Sequence, residues 1–197
     1  MIDVFVRYWP QSRLRKHLAQ AVLERLSMQD DARVRLLVPG ACGYEYNLPP
    51  FDTFDRISAA RFAAESRERA DVTARSPIYV VIDDDHLPIG KGWIRAGVRA
   101  LEQRPDFAML SAWSVNGEVR DHGGVDPDVF EAHSCGTPCF VRKGTFAKLP
   151  EGPAPEYDLI LSEHLKANVG KIGFLRNVRF NHLGFELSQV VPGHWSA

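Results

Sequence analysis

The sequence predicts one mixed α/β domain whose mostly parallel sheet is flanked by helices. Strand-like and helix-like segments alternate through the first half of the chain, an order that favours parallel strands covered by helices on both faces. The apolar run 77–82 is typical of a strand buried on both faces. In the second half, Asn116 and Gly117 are a strong hairpin signal, which predicts additional antiparallel strands.

The size and composition agree with one domain over 1–197. The chain has 197 residues, of which 45% are hydrophobic and 25% charged, as expected for a single core. The net charge of -1 does not indicate a nucleic-acid or anionic-membrane partner. Three cysteines cannot all pair, which favours a reducing compartment. Because the sequence shows neither a signal-like start nor an apolar stretch of about 20 residues, we expect a cytoplasmic protein without a transmembrane segment.

The first half of the chain predicts two strands and two helices before the buried strand. Residues 2–8 are rich in β-formers and predict the first strand, and 33–38 predict the second. Residues 40–50 contain several Gly, Asn and Pro residues and predict a loop. An Ala-rich charged segment over 55–69 predicts a helix. Between the two strands, apolar residues recur at helical spacing and predict another helix: Leu14, Leu18, Val22, Leu23 and Leu26.

The second half predicts a further set of shorter elements. In order, they are a helix over 90–103, a strand over 107–115, a hairpin return over 118–120, a strand over 138–142, a short helix over 144–149, a helix over 158–168 and one or two strands over 171–181. No segment in this half is long enough and polar enough to serve as an interdomain linker. The chain is therefore expected to form one unit.

Three consecutive acids, Asp83, Asp84 and Asp85, follow the buried strand directly. In open α/β sheets, ligands bind beyond the carboxyl ends of the strands. Adjacent carboxylates repel one another unless a cation neutralises them. Mg²⁺ and Mn²⁺ accept carboxylate and phosphate oxygens as ligands. The triplet therefore predicts a metal site, with a solvated loop or an acidic start to the next helix as the alternative.

The segment around the aspartates resembles a known family. Residues 78–88, followed by a Gly-Trp helix, resemble the aspartate motif of family-two-type glycosyltransferases, enzymes with the GT-A fold. Later segments resemble the same family in order: a strand bearing an Arg and a short helix (136–149), an acidic helix start (155–159), the strand after that helix (170–174) and a late His motif (178–184). The resemblance covers residues 75–185 well and the N-terminal part only by pattern.

This resemblance implies a metal-dependent transfer of a sugar, with inversion, from a UDP- or GDP-sugar to a hydroxyl acceptor. Residues 1–105 would form the nucleotide-binding half and 106–197 the acceptor-side half. Asp83 would contact the ribose or uridine side, and Asp84 could share that role or the metal. Mn²⁺ or Mg²⁺ would be held by three side chains: Asp85, Asp83 and His182.

An inverting transferase also needs a base that accepts the proton of the acceptor hydroxyl. In the family this base is usually the second acid of a Glu-Asp pair at the start of a late helix. That pair is absent here, where Glu156 and Asp158 flank a tyrosine. Either acid could be the catalytic base, with a preference for Asp158, and the alternative is that both cap the helix.

Four further residues are candidates for substrate binding. Arg7 and Tyr8 end the first strand, where they could contact the base or the phosphates, and Arg67 lies where the family often has a basic residue near the diphosphate. Trp113 could stack on a sugar ring. The alternatives are surface charge for the arginines and a core position for the tryptophan. Base specificity is not predicted, because 39–43 replaces the family's Asp-containing segment.

Two other functions remain open on the sequence. A sugar-phosphate nucleotidyltransferase would share the fold, but it needs a Gly-rich basic loop after the first strand that residues 7–10 do not supply. A catalytically degenerate glycosyltransferase-like domain that only binds glycans or protein is the second alternative. Because 197 residues is short for the family, the acceptor side would be minimal or completed by a partner, and a homo-oligomer is one way to complete it.

Overall fold

The computed structural model describes residues 1–8, 13–29, 31–38, 41–43, 56–114, 126–150 and 157–183. These residues form nine strands and four helices. In chain order the elements are β1 (Ile2–Arg7), α1 (Arg13–Ser27), β2 (Ala32–Val38), β3 (Ala41–Gly43), α2 (Arg56–Thr73), β4 (Ile78–Asp83), β5 (His86–Pro88), α3 (Trp93–Glu102), β6 (Phe107–Ser114), β7 (Val129–Glu131), β8 (Cys139–Arg142), α4 (Tyr157–Asn168) and β9 (Lys171–His182).

All nine described strands belong to one mixed sheet. Its order is β3-β2-β1-β4-β8-β6-β9-β5, with β7 paired to β9. Strand β1 runs parallel to β2 and β4, and β6 runs parallel to β9, whereas the other pairs are antiparallel. A mixed sheet therefore agrees with the sequence prediction, with parallel pairs around β1 and several antiparallel pairs from the second half. Because β8 is antiparallel to both β4 and β6, the carboxyl ends of β1, β2, β4, β6 and β9 share one edge.

The alternation of buried side chains along β4 shows how helices cover both faces of the sheet. Ile78, Val80 and Ile82 pack into one apolar cluster, whereas Tyr79 and Val81 pack into another. The first cluster receives residues from α1 and α3, and the second receives residues from α2 and α4. A central strand that is apolar at every position is stable only in such a three-layer arrangement. Among the described helices, none is long and apolar enough to cross a membrane.

The predicted short helix over 144–149 is wrong. Residues 143–146 form a turn in which Gly144 has a φ of 96°, a left-handed conformation that a helix cannot contain. The Gly144 N–H donates to Asp71 Oδ1 at 2.9 Å instead of to a helical carbonyl. Phe146 is fully buried on the ring of Tyr79. The contacts with Asp71 and Tyr79 therefore hold this segment as a turn.

Other differences concern the ends and edges of elements. Helix α2 continues beyond residue 69 to Thr73, whose carbonyl accepts a bond of 2.7 Å from Arg35 Nη1. Short strands β3, β5 and β7 replace segments that were predicted as loops or not predicted at all, because each pairs with the edge of a longer strand. The predicted hairpin over 116–120 lies outside the described residues.

Candidate active site

The candidate site lies at the topological switch point of the sheet, beside β1. Strand β1 pairs with β2 on one side and with β4 on the other, so the helices that follow these strands leave a crevice at their carboxyl ends. In α/β sheets this switch point is where ligands bind. Arg7, the last residue of β1, is the register partner of Asp83, the last residue of β4. The backbone pairing therefore places a cation and an anion side by side at the crevice.

Asp83 is held by two other side chains. Arg7 contacts its Oδ1 through Nη2 at 2.5 Å and Nε at 2.6 Å, and Thr137 donates to its Oδ2 at 2.5 Å. Burial opposes ionisation, but the charge of Arg7, the neighbouring His86 and the hydrogen bond from Thr137 together hold the pKa of Asp83 below its usual range. Asp83 is therefore an ionised and oriented carboxylate whose side chain is 22% exposed.

Asp84 and Asp85 share a second arginine that the sequence did not single out. Arg15, in α1, lies 2.5 Å from Asp84 Oδ1 and 2.8 Å from Asp85 Oδ2 through Nη1. Both carboxylates are almost completely buried, and the Asp84 N–H donates to the Arg7 carbonyl at 3.0 Å, which fixes the turn. In sequence, Arg15 looks like any basic residue on an amphipathic helix. The role of Arg15 in offsetting the acidic charge becomes visible only in the fold, which places α1 beside the aspartates.

Asp85 also belongs to a group that could hold a metal ion. One ligand atom from each of Asp85, His86 and His182 lies within 4.8 Å of the others. His86 is the register partner of His182 across β5 and β9, and the two imidazole rings stack at 4.3 Å. His86 Nδ1 is 3.0 Å from Asp85 Oδ1, and His182 Nε2 is 3.5 Å from Asp85 Oδ2. Burial opposes ionisation of Asp85, but the neighbouring imidazoles of His182 and His86 and the charge of Arg15 together hold its pKa well below the usual range.

The chemistry of this group fits a divalent metal ion. Asp85 Oδ1 and His86 Nδ1 are buried, and neither has a hydrogen-bond partner of suitable geometry among the described residues, despite their short separation. Such atoms are costly unless a ligand satisfies them. One carboxylate and two imidazoles suit Mn²⁺ better than Mg²⁺, which prefers oxygen. The group contains the predicted ligands Asp85 and His182, but it has His86 where the sequence predicted Asp83.

The predicted base Asp158 stands in the first turn of α4. Arg67 Nη2 donates to its Oδ1 at 2.9 Å, and the carboxylate side chain remains 54% exposed. Arg67 itself is 1% exposed and stacks over the ring of Tyr157 at 5.1 Å. Burial and the nearby charge of Arg7 lower the pKa of Arg67 from its usual value. Arg67 therefore holds the Asp158 carboxylate in place, and its predicted place near the diphosphate stays a prediction.

Gly136 brings the loop before β8 against the same carboxylate. A Cβ atom at Gly136 would lie 2.2 Å from Asp158 Oδ2, so a side chain at residue 136 would displace Asp158. The next residue, Thr137, donates to Asp83. The loop therefore links the Asp83 side of the crevice with the Asp158 side. A lone Gly-Thr pair carries no signal in sequence that could have predicted this link.

The remaining predicted residues lie at or near this edge of the sheet. Tyr8 is fully buried, and burial, together with the charge of Asp84, raises its pKa to about 12. The Tyr8 hydroxyl has no hydrogen-bond partner among the described residues. Trp113, near the carboxyl end of β6, is half-buried and packs edge-on against Phe130 at 5.7 Å. Glu156 lies outside the described residues.

Solved structures with the same architecture exist, although their sequences are distant. The chain is similar to A197 from STIV (14% identity, TM-score 0.54, covering 92% of this chain and 85% of that one). It is also similar to S. aureus TarS 1-349 in complex with UDP-GlcNAc (12%, TM-score 0.60, 91% and 57%). A third similar structure is the glucosyl-3-phosphoglycerate synthase of Mycobacterium tuberculosis in complex with Mn²⁺, UDP and phosphoglyceric acid (14%, TM-score 0.53, 87% and 66%).

A scan of protein-family models and a search of curated proteins find no match to the sequence. This chain spans less than two thirds of the TarS fragment, of which it covers 57%. Fold and function are separable properties, and at 12–14% identity a structural likeness establishes the fold alone. The chain therefore has the GT-A fold that the sequence predicted.

Proposed function

We propose that the chain is a glycosyltransferase that moves a sugar from a nucleoside-diphosphate sugar to a hydroxyl acceptor, with inversion. The observation that carries this proposal is the meeting of three functional groups at one switch point. The first is an oriented carboxylate, Asp83. The second is the metal-capable group, which consists of Asp85, His86 and His182. The third is the half-exposed carboxylate of Asp158 on α4. Two solved structures with this fold hold UDP or UDP-GlcNAc, which supports a nucleotide-sugar as the donor here.

Asp83 would orient the nucleoside. Its Oδ1 accepts from Arg7, whereas Oδ2 accepts from Thr137 alone among the described residues and so keeps a further lone pair. A ribose hydroxyl can donate to such a lone pair without disturbing the existing bonds. Because Arg7 holds the pKa of Asp83 low, the carboxylate remains an acceptor at neutral pH.

The departing nucleoside diphosphate carries negative charge, which the site must stabilise. Asp85, His86 and His182 would hold a divalent ion, which when bound supplies a Lewis acid for the diphosphate oxygens. Arg7 and Arg15 already stand beside the aspartates and would add fixed positive charge in a partly water-excluded crevice. These arginines need no reorganisation as the leaving group departs.

Asp158 would act as the base. Its exposure leaves room for an acceptor hydroxyl, and Arg67 keeps the carboxylate in one orientation. As the acceptor oxygen bonds to the anomeric carbon, the bond from that carbon to the diphosphate breaks. The hydroxyl proton passes to Asp158. Attack opposite to the leaving group inverts the anomeric configuration.

The first test is calorimetric titration of UDP and of GDP into the protein, with Mn²⁺ and then with EDTA. We expect one nucleotide to bind in a Mn²⁺-dependent manner and Asp85→Asn to abolish that dependence. Asp31→Asn is a matched control, because Asp31 pairs only with the exposed Arg95 among the described contacts. If folded protein binds neither nucleotide, the chain is a degenerate binding domain and the proposal is wrong.

A second measurement separates binding from turnover. Sugar conjugates of the nucleotide that binds would be tested one by one as donors. Release of the nucleoside diphosphate would be measured with and without acceptor alcohols. We expect Asp158→Asn to lose turnover while keeping nucleotide affinity within about twofold, because Asp158 belongs to the acceptor side. Equal turnover in Asp158→Asn and the unaltered protein would remove Asp158 from the mechanism.

A further inference from the structure

His86 is a member of the metal-capable group that the resemblance to known transferases does not explain. The aspartate motif accounts for Asp85, and the late His motif accounts for His182. His86 follows the aspartates directly and begins β5. It was not among the residues that the sequence predicted to bind metal. Its position therefore needs an explanation of its own.

The surroundings of His86 are those of an incomplete polar site. Its side chain is 6% exposed, and Nδ1 lies 3.0 Å from Asp85 Oδ1, whose side chain is 2% exposed. Neither atom has a hydrogen-bond partner of suitable geometry among the described residues. Two buried polar atoms that face each other without a hydrogen bond need an explanation, and a bound ion is one. A cation between them would satisfy both.

The backbone holds the three side chains in place. His86 and His182 are register partners across β5 and β9, and the Leu183 N–H donates to the Asp85 carbonyl at 2.8 Å. Arg15 contacts Asp85 Oδ2 at 2.8 Å, which fixes the orientation of that carboxylate. The two imidazole planes are only 14° apart, so the rings would turn to point one nitrogen each at the same ion. The backbone therefore keeps the three candidate ligand atoms close together without a nucleotide.

We propose that His86 is a metal ligand together with Asp85 and His182, and that its imidazole makes the site select Mn²⁺ over Mg²⁺ and bind it without nucleotide. The inference rests on the proposed function, since the same ion would serve the donor diphosphate. Imidazole nitrogen suits Mn²⁺ and later first-row ions, whereas Mg²⁺ prefers oxygen and usually relies on substrate phosphates. Two nitrogens and one carboxylate therefore favour a resident transition ion.

The test uses the full chain with Mn²⁺ alone. Calorimetry would give the Mn²⁺ and Mg²⁺ affinities without nucleotide, and pulsed EPR would detect nitrogen nuclei coupled to the bound Mn²⁺. We expect one Mn²⁺ per chain, an affinity at least about tenfold above that for Mg²⁺, and coupling to two imidazole nitrogens. The EPR measurement needs no variant and so does not depend on how well a substituted chain folds.

Variants then assign the nitrogens. In His86→Asn we expect Mn²⁺ affinity to fall by at least the ~10–100-fold that follows loss of an outer-shell partner, with one nitrogen coupling lost and the Mn²⁺ preference reduced. His182→Ala should lose the other coupling. His133→Ala is the matched control, because His133 is an exposed histidine outside the group. Its affinity and its EPR spectrum should equal those of the unaltered protein.

Failure of this inference differs from failure of the proposed function. A single nitrogen coupling that survives in His86→Asn, or equal Mn²⁺ and Mg²⁺ affinities, would overturn the role of His86. Metal-dependent UDP or GDP binding would still support the transferase in that case. Tight Mn²⁺ binding through two nitrogens, with no nucleotide binding at all, would instead confirm His86 as a ligand and overturn the transferase.

Discussion

Two buried aspartates at opposite edges of the sheet differ in how completely their carboxylate oxygens are hydrogen-bonded. Asp3 lies near the amino end of β1, and its Oδ2 accepts from the Arg75 N–H at 2.6 Å, the Ser76 N–H at 2.9 Å and the Ser76 hydroxyl at 3.0 Å. Arg33 donates to its Oδ1 at 3.2 Å. Asp85, beyond the carboxyl end of β4, is equally buried but keeps Oδ1 without a hydrogen bond among the described residues.

The difference separates a structural acid from a functional one. Both carboxylates have lowered pKa values and both stand beside arginines, so charge and burial alone do not distinguish them. The satisfied acid stabilises the fold, since every bond that it accepts joins two parts of the chain. The acid with an unsatisfied oxygen keeps a desolvation cost at that oxygen, which a bound ligand would offset. Substitutions at the two positions should therefore differ in how much they lower the free energy of unfolding.

The largest expected effect is on stability at the amino end. Asp3→Ala should lower the free energy of unfolding by about 3–5 kcal/mol, because it leaves buried donors and the nearly buried Arg35 without their carboxylate. Asp85→Ala should lower it by less than about 1 kcal/mol, because Arg15 keeps its contact with Asp84 and an unsatisfied oxygen is removed. Urea unfolding of both variants without metal measures the difference.

The same pair of variants can break the comparison. If Asp85→Ala loses as much stability as Asp3→Ala, then Asp85 is a structural acid and the metal-capable group is ordinary packing. Serine at each position is a useful companion substitution, since it restores a small polar group. We expect serine to rescue little stability at Asp3, where four donors converge.

The next effect is catalytic and concerns the loop that links the two sides of the crevice. Gly136→Ala should lower kcat by about 10²-fold with nucleotide affinity nearly unchanged, because its Cβ would displace Asp158 from a position 2.2 Å away. Steady-state turnover and calorimetry on the same preparation measure both quantities. Unchanged turnover in Gly136→Ala would mean that the position of Asp158 does not matter for catalysis. The turnover of Asp158→Asn gives the lowest kcat that displacement of Asp158 could cause.

The sequence predicted the parts of the site that follow from strand order. An all-apolar strand ending in three acids requires a central β4, and a parallel neighbour then brings Arg7 beside Asp83. It also predicted Asp158 at the start of a helix. These positions depend on local pattern and on the direction of strands, both of which are readable along the chain.

The residues that the sequence missed depend on contacts between distant segments. Arg15 reaches the aspartates 69 and 70 positions away, and Thr137 reaches Asp83 54 positions away. His86 meets His182 only because a three-residue strand pairs with the end of β9. Arg67 was predicted near the diphosphate, and its bond to Asp158, 91 positions away, is a further contact that the sequence did not indicate. No local signal marks such pairs, since their residue types are common on any surface.

A smaller effect concerns acid unfolding. The pKa of Asp3 is lowered in the folded state, because its hydrogen bonds outweigh the effect of burial. Its stabilisation is therefore present above the unfolded pKa of about 3.9 and is lost as the pH falls through the folded value. Stability of the unaltered protein should drop below pH 4 more steeply than that of Asp3→Asn, by up to about 1.4 kcal/mol per pH unit. Parallel slopes, measured by urea unfolding between pH 5 and 3, would contradict this assignment.

The smallest effect sharpens what satisfies Asp3. Arg33 is 29% exposed and contacts Asp3 Oδ1 at 3.2 Å, so Arg33→Ala should cost less than about 1 kcal/mol, as partly exposed ion pairs do. The cost should shrink further in high salt, which screens this pair but not the bonds from Arg75 and Ser76. A cost as large as that of Asp3→Ala would mean that the ion pair, and not the backbone donors, holds the carboxylate. In that case the carboxylates of Asp3 and Asp85 would both be held by an arginine. The two acids would then differ only in the Oδ1 of Asp85, which has no hydrogen bond among the described residues.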